Sequence, residues 1–477
     1  MSDNNGYIKA KPWQVVCAPL ADGVNNMFFI LSMFLSYIAA DGYGIAVAVA
    51  GYIATGTRMF DAITDPIVAF ISDRINTKFG RIRILMGIGF ITMCLAMFGI
   101  YFVGVGSNVV VYTLLYMLYI LGYTIYGIGN GSSKPILTND PVQRAKMYRW
   151  ATIYTLVLSA LPSVYMSKVL FPKYGSLSTP AFQEMYFTVV IASAVLVIIA
   201  MCAIASKDKP ENFVGKNGTS IKLKDCWNVL KSNRAMQMYI VAASSDKLAL
   251  QAASQSAITT MVFGIIIGNY EFNGSLTMIN LIPSFIVVFF ATYLSGKNGA
   301  KKGLIRWTWI SILMAVLMVV FMTVIDPTQI SVAAVPTILF LVINALFAAC
   351  KMSTSAVTGS MLPDIIDYEM YRSGNFMPAT VSAIYSFVDK MISSLAATVV
   401  GICISLIGYT STMPQPGDAC TPAIFAMAMF LWMGLPIIGW ICTIIAMKFY
   451  PLDKEKMEEV QAANAEVRKA AQKAENN

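Results

Sequence analysis

Long apolar runs recur from Val15 to Tyr450, broken only by short polar stretches, and that rhythm is the first constraint on the chain. A helix rises about 1.5 Å per residue, so about twenty apolar residues cross the roughly 30 Å hydrocarbon of a bilayer. On that measure the pattern predicts spans at 14–40, 45–72, 84–103, 109–133, 150–170, 183–205, 236–268, 275–295, 304–325, 331–362, 378–410 and 421–450. The expected fold class is an all-α membrane protein with twelve transmembrane helices.

The longest internal polar stretch, Lys207 to Arg234, falls between the sixth and seventh spans. It divides the chain into an N-terminal six-helix half (1–206), a linker (207–234), a C-terminal six-helix half (235–450) and a charged tail (451–477). The loops after the second and eighth spans repeat a pattern: Lys78, Gly80 and Arg83 match Lys301, Gly303 and Arg306 at a constant offset. Duplicated halves of this kind suit alternating-access carriers. The tail alternates Lys and Glu and reads as a solvated helix with i,i+4 pairs.

Charge orients the spans. Arg74, Lys78, Arg81, Arg83, Lys134, Arg144, Lys146 and the basic linker share one side with Lys297, Lys301, Lys302, Arg306 and Arg372, whereas the other side offers Lys168 and Lys173. Basic residues resist translocation, so both termini are expected in the cytoplasm of a cell whose inner membrane holds the chain. The formal charge of +9 is therefore spread over loops, which argues against nucleic acid as a partner. Composition agrees, with 57% hydrophobic and 12% charged residues against about 25% charged in a soluble domain. The eight cysteines lie mostly in apolar segments and are expected to be reduced packing residues. The polar start MSDNNGYIKAKPW lacks the features of a removed signal peptide, so the first span is expected to stay as an anchor. With no histidine, no recognisable nucleophile–base set and no phosphate loop, the chain reads as neither an enzyme nor an ATP-driven pump.

The candidate chemistry lies in charges that a bilayer should exclude. Each costs about 2.5–3.5 kcal/mol at the centre of a span, so each needs a partner, a wet cavity or an interface. The second span carries Arg58, Asp61 and Asp65 on one face, followed by Pro66, which removes a backbone donor. Two acids one turn apart repel, yet their oxygens suit a hard cation such as sodium, or they trap a proton. The other reading is a structural network with Arg58. On the first span Asp22, Asn25 and Asn26 share a face near Phe28 and Phe29, a set suited to a hydroxyl-rich ligand or to a helix–helix hydrogen-bond patch. In the second half, Asp246-Lys247 and Asp389-Lys390 are adjacent opposite charges that point about 100° apart. Each member is expected to serve a different helix or the cavity. Arg149 opens the fifth span as an interfacial or a cavity-facing group. Tyr112, Tyr116, Tyr119, Tyr123 and Tyr126 recur at helical spacing as core, beside Thr124 and Asn130.

The segments RMFDAITDP (58–66), NTKFGRIR (76–83), DIIDYE (364–369) and LIGYT (406–410) resemble the glycoside–pentoside–hexuronide:cation symporter family of the major facilitator superfamily. The likeness runs from about Pro12 to Asp453. It implies cation ligation by Asp61 and Asp65 with help from Thr124, ion choice tuned at Thr64, and Lys390 near that site. It also implies a sugar held beside Arg149. The family's sugar-holding acids are replaced by Asn25 and Gly127, and a tryptophan position reads Gly131, which argues against a melibiose-type galactoside, whereas the stretches Asp22-Gly-Val-Asn25-Asn26 and Phe449-Tyr-Pro-Leu-Asp453 resemble the glucuronide and pentoside branch. The expected substrate site is thus Asp22, Asn25, Asn26, Arg149, Asp246 and Lys247, with Arg58, Asp389 and Lys390 as a charge network. The expected partners are a sugar, a monovalent cation (Na+ or H+) and the lipid bilayer; no cofactor and a monomer are expected. The rivals are a carrier of this fold for an amphiphile, such as a lysolipid or steroid conjugate, and a non-transporting membrane sensor.

Overall fold

The computed structural model describes residues 9–74, 80–138, 141–209, 230–374 and 378–475. Lys78, most of the linker (210–229) and Asn375 to Met377 lie outside the described residues.

The chain is all-helical. The first span, α1 (Pro12–Tyr43), runs in three pieces. It is followed by α2 (Val47–Arg74), α3 (Ile82–Val103), α4 (Val109–Leu137), α5 (Pro141–Tyr165) and α6 (Thr179–Ile204). Next come α7 (Arg234–Ala253, then Ser256–Ile266 after a 53° bend), α8 (Leu281–Asn298), α9 (Ala300–Val324) and α10 (Ala334–Ser373). The series ends with α11 (Pro378–Leu406), α12 (Pro422–Phe449) and the tail helix α13 (Lys454–Glu475). Among the described residues, ten helices are long and apolar enough to cross a membrane, and α7 qualifies as a bent pair. The remaining span is α2, 28 residues long, whose mean hydropathy is pulled down by Arg58, Asp61 and Asp65. Among the described residues, these elements are consistent with the twelve expected spans. The difference from expectation is at α10, which runs through the 364–369 segment to Ser373 because Pro363 is accommodated inside the helix. Glu369, buried there, takes hydrogen bonds from Arg372 Nη2 (2.8 Å) and Asn233 Nδ2 (2.7 Å).

Local chemistry sets the ends. The last piece of α1 closes at Gly44 (φ +63°), with Ile45 N–H on the Ala39 carbonyl (2.9 Å) and Gly44 N–H on that of Ala40 (3.2 Å). Those are the two bonds of a left-handed helix cap that glycine makes without a Cβ penalty. Asn108 opens α4 by accepting from Val110 and Val111 N–H.

Contacts divide the chain into two compact units. One is Met1–Gly218 with Thr259–Met278 and Ala397–Cys420; the other is Thr219–Ile258, Ile279–Ala396 and Thr421–Asn477. The far pieces of α7 and α11 thus belong with the first unit. Inside it, the Tyr37 phenol hydrogen-bonds Thr260 (2.7 Å) and the Pro414 carbonyl (2.9 Å), and Thr55 meets Thr398 (2.7 Å). The second unit has its own core, which includes Met236, Tyr239, Leu304, Met361, Ile365 and Met447.

In the first unit α3 and α4 touch backbone to backbone: a Cβ on Gly89 would lie 2.4 Å from Tyr126 N, and one on Gly122 would lie 2.8 Å from Met93 N. Small residues allow this approach where no hydrophobic force drives helices together. The adjoining face of α4 turns its tyrosines on α1. Tyr112, Tyr119 and Tyr126, seven apart, donate to the carbonyls of Leu35, Phe28 and Ala21, also seven apart (3.0, 3.1 and 3.1 Å). A seven-residue register on both helices is the mark of a shallow, coiled-coil-like crossing.

The loop before α3 is held by Asp208, buried just past α6. Its carboxylate accepts from the N–H groups of Arg81 (2.9 Å), Ile82 (3.1 Å) and Arg83 (2.9 Å), and from Arg83 Nε (3.1 Å). A carboxylate there satisfies the orphan donors of the helix start and complements its dipole. Gly80 (φ +95°) leaves room for it, since a Cβ would fall 2.1 Å from Asp208 Oδ2. The repeat read from sequence is corrected here. Gly303, the expected counterpart of Gly80, is buried inside α9 against Ser295, and the glycine with positive φ before α9 is Gly299 (+91°).

Gly80→Ala and Asp208→Ala are each expected to destabilise the purified protein, the latter by about 2 kcal/mol because buried N–H groups lose their acceptor. Both should lower the apparent melting temperature in detergent. Tyr119→Phe removes a bond worth about 0.6 kcal/mol in membranes and should leave it nearly unchanged.

Candidate functional site

Fixing α4 on α1 through its tyrosines sets where its other faces look. Thr124 stands two residues before Tyr126, about 200° round the helix, and so faces α2. Its buried hydroxyl donates to Asp61 Oδ1. Asp65 follows one turn on and is half-buried. Thr64, buried between them, donates to the Asp61 carbonyl (3.2 Å), which leaves its oxygen lone pairs available. Arg58, one turn the other way, lies 5.4 Å from the centre of the Phe29 ring, with Tyr116 and Tyr119 within electrostatic reach. The structure thus brings together Asp61, Thr64 and Thr124. Among the described residues no three or more acidic or cysteine side chains gather as a metal centre. Carboxylate and hydroxyl oxygens are hard donors, suited to hard cations.

Next to this set, one helical turn along α4, lies unfilled space. A Cβ on Gly127 or Gly131 would meet nothing within 4 Å. Asn130, on the same stretch, donates to Asp22 Oδ1 (2.8 Å), and its own carbonyl oxygen is buried and without a partner among the described residues. Asn25 of α1 likewise has a buried carbonyl oxygen with no partner among the described residues. Native interiors rarely leave such acceptors unused, so two of them mark a place where a donor is expected to arrive. Asn26 differs: its amide donates to the Asp22 carbonyl (2.8 Å) and reaches Thr155 of α5 (3.4 Å), a helix–helix tie. Arg149 is exposed on α5, with no hydrogen bond or ion pair among the described residues.

Lys134 departs from expectation. Read from sequence as a loop cation, it is buried within α4, where its ammonium pairs with both oxygens of Asp22 (2.9 and 2.8 Å) and lies 5.7 Å from the Tyr148 ring centre. Its signal was its place four residues after Asn130, on the face that also carries Gly127 and Gly131. Asp22 is therefore a neutralised anchor of the site.

In the second unit the adjacent charges do separate. Lys247 of α7 forms an ion pair with Asp389 of α11, whereas Asp246 turns to Trp440 of α12 (2.7 Å) and Ser355 of α10 (3.5 Å). Lys390 is half-buried on α11. Cysteines 17, 94, 202, 350, 403, 420 and 442 are free.

Residues 18–454 match the family described as MFS/sugar transport protein. The chain is 22% identical over 468 residues to the glucuronide carrier protein homolog of Escherichia coli (strain K12), covering 94% of each chain. It is 21% identical over 470 residues to the inner membrane symporter YicJ of the same organism, covering 95% of each. The solved structure of the nucleoside transporter NupG superposes with a TM-score of 0.59 over 92% of this chain and 100% of that one, at 14% identity, a likeness of fold alone.

Removing one partner of a buried ion pair costs about 3–5 kcal/mol, whereas replacing both is far milder. Lys134→Met is expected to reduce the yield and melting temperature of the membrane protein sharply, and adding Asp22→Asn should restore most of the loss, as a double-mutant cycle would show.

Proposed function

The chain belongs to the MFS/sugar transport protein family, and within it we propose that this transporter couples a monovalent cation to uptake of a glycoside of the hexuronide or pentoside class. The observation that carries the reading is the meeting of Thr124 with Asp61, beside Asp65 on the same helix. Carboxylates inside hydrocarbon are rare and, where they are not simply paired, mark ion pathways or proton relays. The relatives named as a glucuronide carrier homolog and as a symporter support both halves of it.

The sugar is placed against α1 and α4, in the space left by Gly127 and Gly131, where its hydroxyls donate to Asn25 Oδ1 and Asn130 Oδ1. Exposed Arg149 offers a planar double donor to a uronate carboxylate. Arg58, with the Lys247–Asp389 pair and Lys390, is read as the charge network that responds when the cation arrives. Cation and sugar load from outside, each tightening the other by linkage, and the loaded carrier then opens inward. One monovalent charge crossing 100 mV supplies about 2.3 kcal/mol, enough for roughly fiftyfold accumulation of a neutral solute. The basic loops are placed on the cytoplasmic side of the inner membrane, with both termini.

Asp61→Asn and Asp65→Asn should each abolish cation-driven accumulation of a labelled glycoside in vesicles while the protein remains in the membrane. Wild-type gradients in both would remove the coupling. Arg149→Ala should weaken a glucuronide by about tenfold or more, the loss of a charge-assisted pair, and a neutral glycoside much less. Equal loss for the two sugars would place the carboxylate elsewhere.

A further inference from the structure

One carboxylate of the second unit, expected from sequence in the substrate site, has surroundings that point to a chemistry of its own. Asp246 sits in the first piece of α7 and is 4% exposed. Its Oδ1 accepts from Trp440 Nε1 at 2.7 Å, and Ser355 Oγ lies 3.5 Å from its Oδ2. Both donors are neutral. Among the described residues no lysine or arginine is ion-paired with it; Lys247, its neighbour in sequence, is committed to Asp389.

The surroundings are built rather than incidental. Gly439 brings α12 against α7 so closely that a Cβ would lie 2.8 Å from the Ser245 carbonyl. That approach delivers fully buried Trp440 to the carboxylate. Phe347 of α10 meets Trp440 edge-on at 6.1 Å, and the Lys351 ammonium lies 5.9 Å from the Phe347 ring centre. Lys351 and Ser355, one turn apart on α10, thus flank Asp246, with Lys351 within electrostatic reach and no ion pair formed. From α11, Tyr385 is the other titratable group in reach.

A permanently ionised carboxylate in hydrocarbon calls for a close cation, and a permanently structural one is better served by an amide. We propose that Asp246 is a reversible proton-binding site of the second unit. The proton adds to Oδ2, where the Ser355 hydroxyl turns from donor to acceptor, while Oδ1 keeps the Trp440 bond. Loading takes the cluster from neutral to a net positive charge on Lys351, which then suits an anionic substrate. The inference rests on the transport reading only for that last use, because proton binding itself is measurable in the resting protein.

The test is infrared difference spectroscopy of the full chain in lipid as the pH is lowered across the neutral range. A carbonyl-stretch band of a protonated carboxyl should grow in the wild type and vanish in Asp246→Asn. Trp440→Phe, which removes a donor to the charged form, should move the midpoint upward by about one pH unit, a tenfold gain in proton affinity. A titrating band that persists in Asp246→Asn, or an Asp246 band that does not change with pH, overturns the assignment. If Asp246→Asn does not accumulate, the Trp440→Phe shift decides, and an unmoved midpoint counts against it. Failure of cation-driven transport in Asp61→Asn leaves this titration untouched, so the two readings fail separately.

Discussion

A negative charge inside hydrocarbon must be answered, and in this protein each answer is different. Asp22 is answered permanently by Lys134, and Asp389 by Lys247. Asp208 escapes the problem by capping the start of α3. Asp61 accepts from the Thr124 hydroxyl, and Asp65 stands one turn further along the same helix. That meeting of a carboxylate and a hydroxyl is the geometry on which the proposed cation site rests. The Lys134–Asp22 and Lys247–Asp389 pairs need no bound ion to hold their helices together, as the proposed coupling requires.

Rigid packing makes this division of labour possible. Glycines let α3 and α4 touch, and the tyrosines of α4 fasten it to α1 in a fixed register. Thr124 is thereby aimed at α2, while Asn130 and Lys134 are aimed at Asp22. In the proposed reading Thr124 serves the cation and Asn130 the sugar, less than two turns apart on one helix, so a shift of α4 or α2 caused by one ligand would be felt by the other. Such closeness is a physical basis for linkage that needs no long pathway.

Much of this was legible before any coordinates. Apolar length marked the spans, because hydrocarbon thickness leaves little freedom in where a helix begins and ends. The cost of charge singled out Arg58, Asp61 and Asp65. The resemblance, not the spacing, put Thr124 beside them. What stayed hidden depends on contacts far apart in the chain. Lys134 looked like a loop residue because composition cannot tell a basic residue that snorkels out from one that turns in. Asp208 looked like part of a linker, since nothing in sequence ties it to Gly80 across 128 positions. The Gly303 match was a coincidence of basic loops, and backbone φ places the special glycine at Gly299. The seven-residue spacing of Tyr112, Tyr119 and Tyr126 was visible, but its partner carbonyls were not.

The central claim is that the Asp61 site takes a cation whose binding is linked to the sugar. Its most direct test is the affinity of the purified chain for a glucuronide, measured by calorimetry at low and at saturating cation, with sodium at neutral pH and with protons at low pH. Under one of those two cations the affinity should tighten by about tenfold. An affinity that is the same at every sodium concentration and every pH contradicts the account.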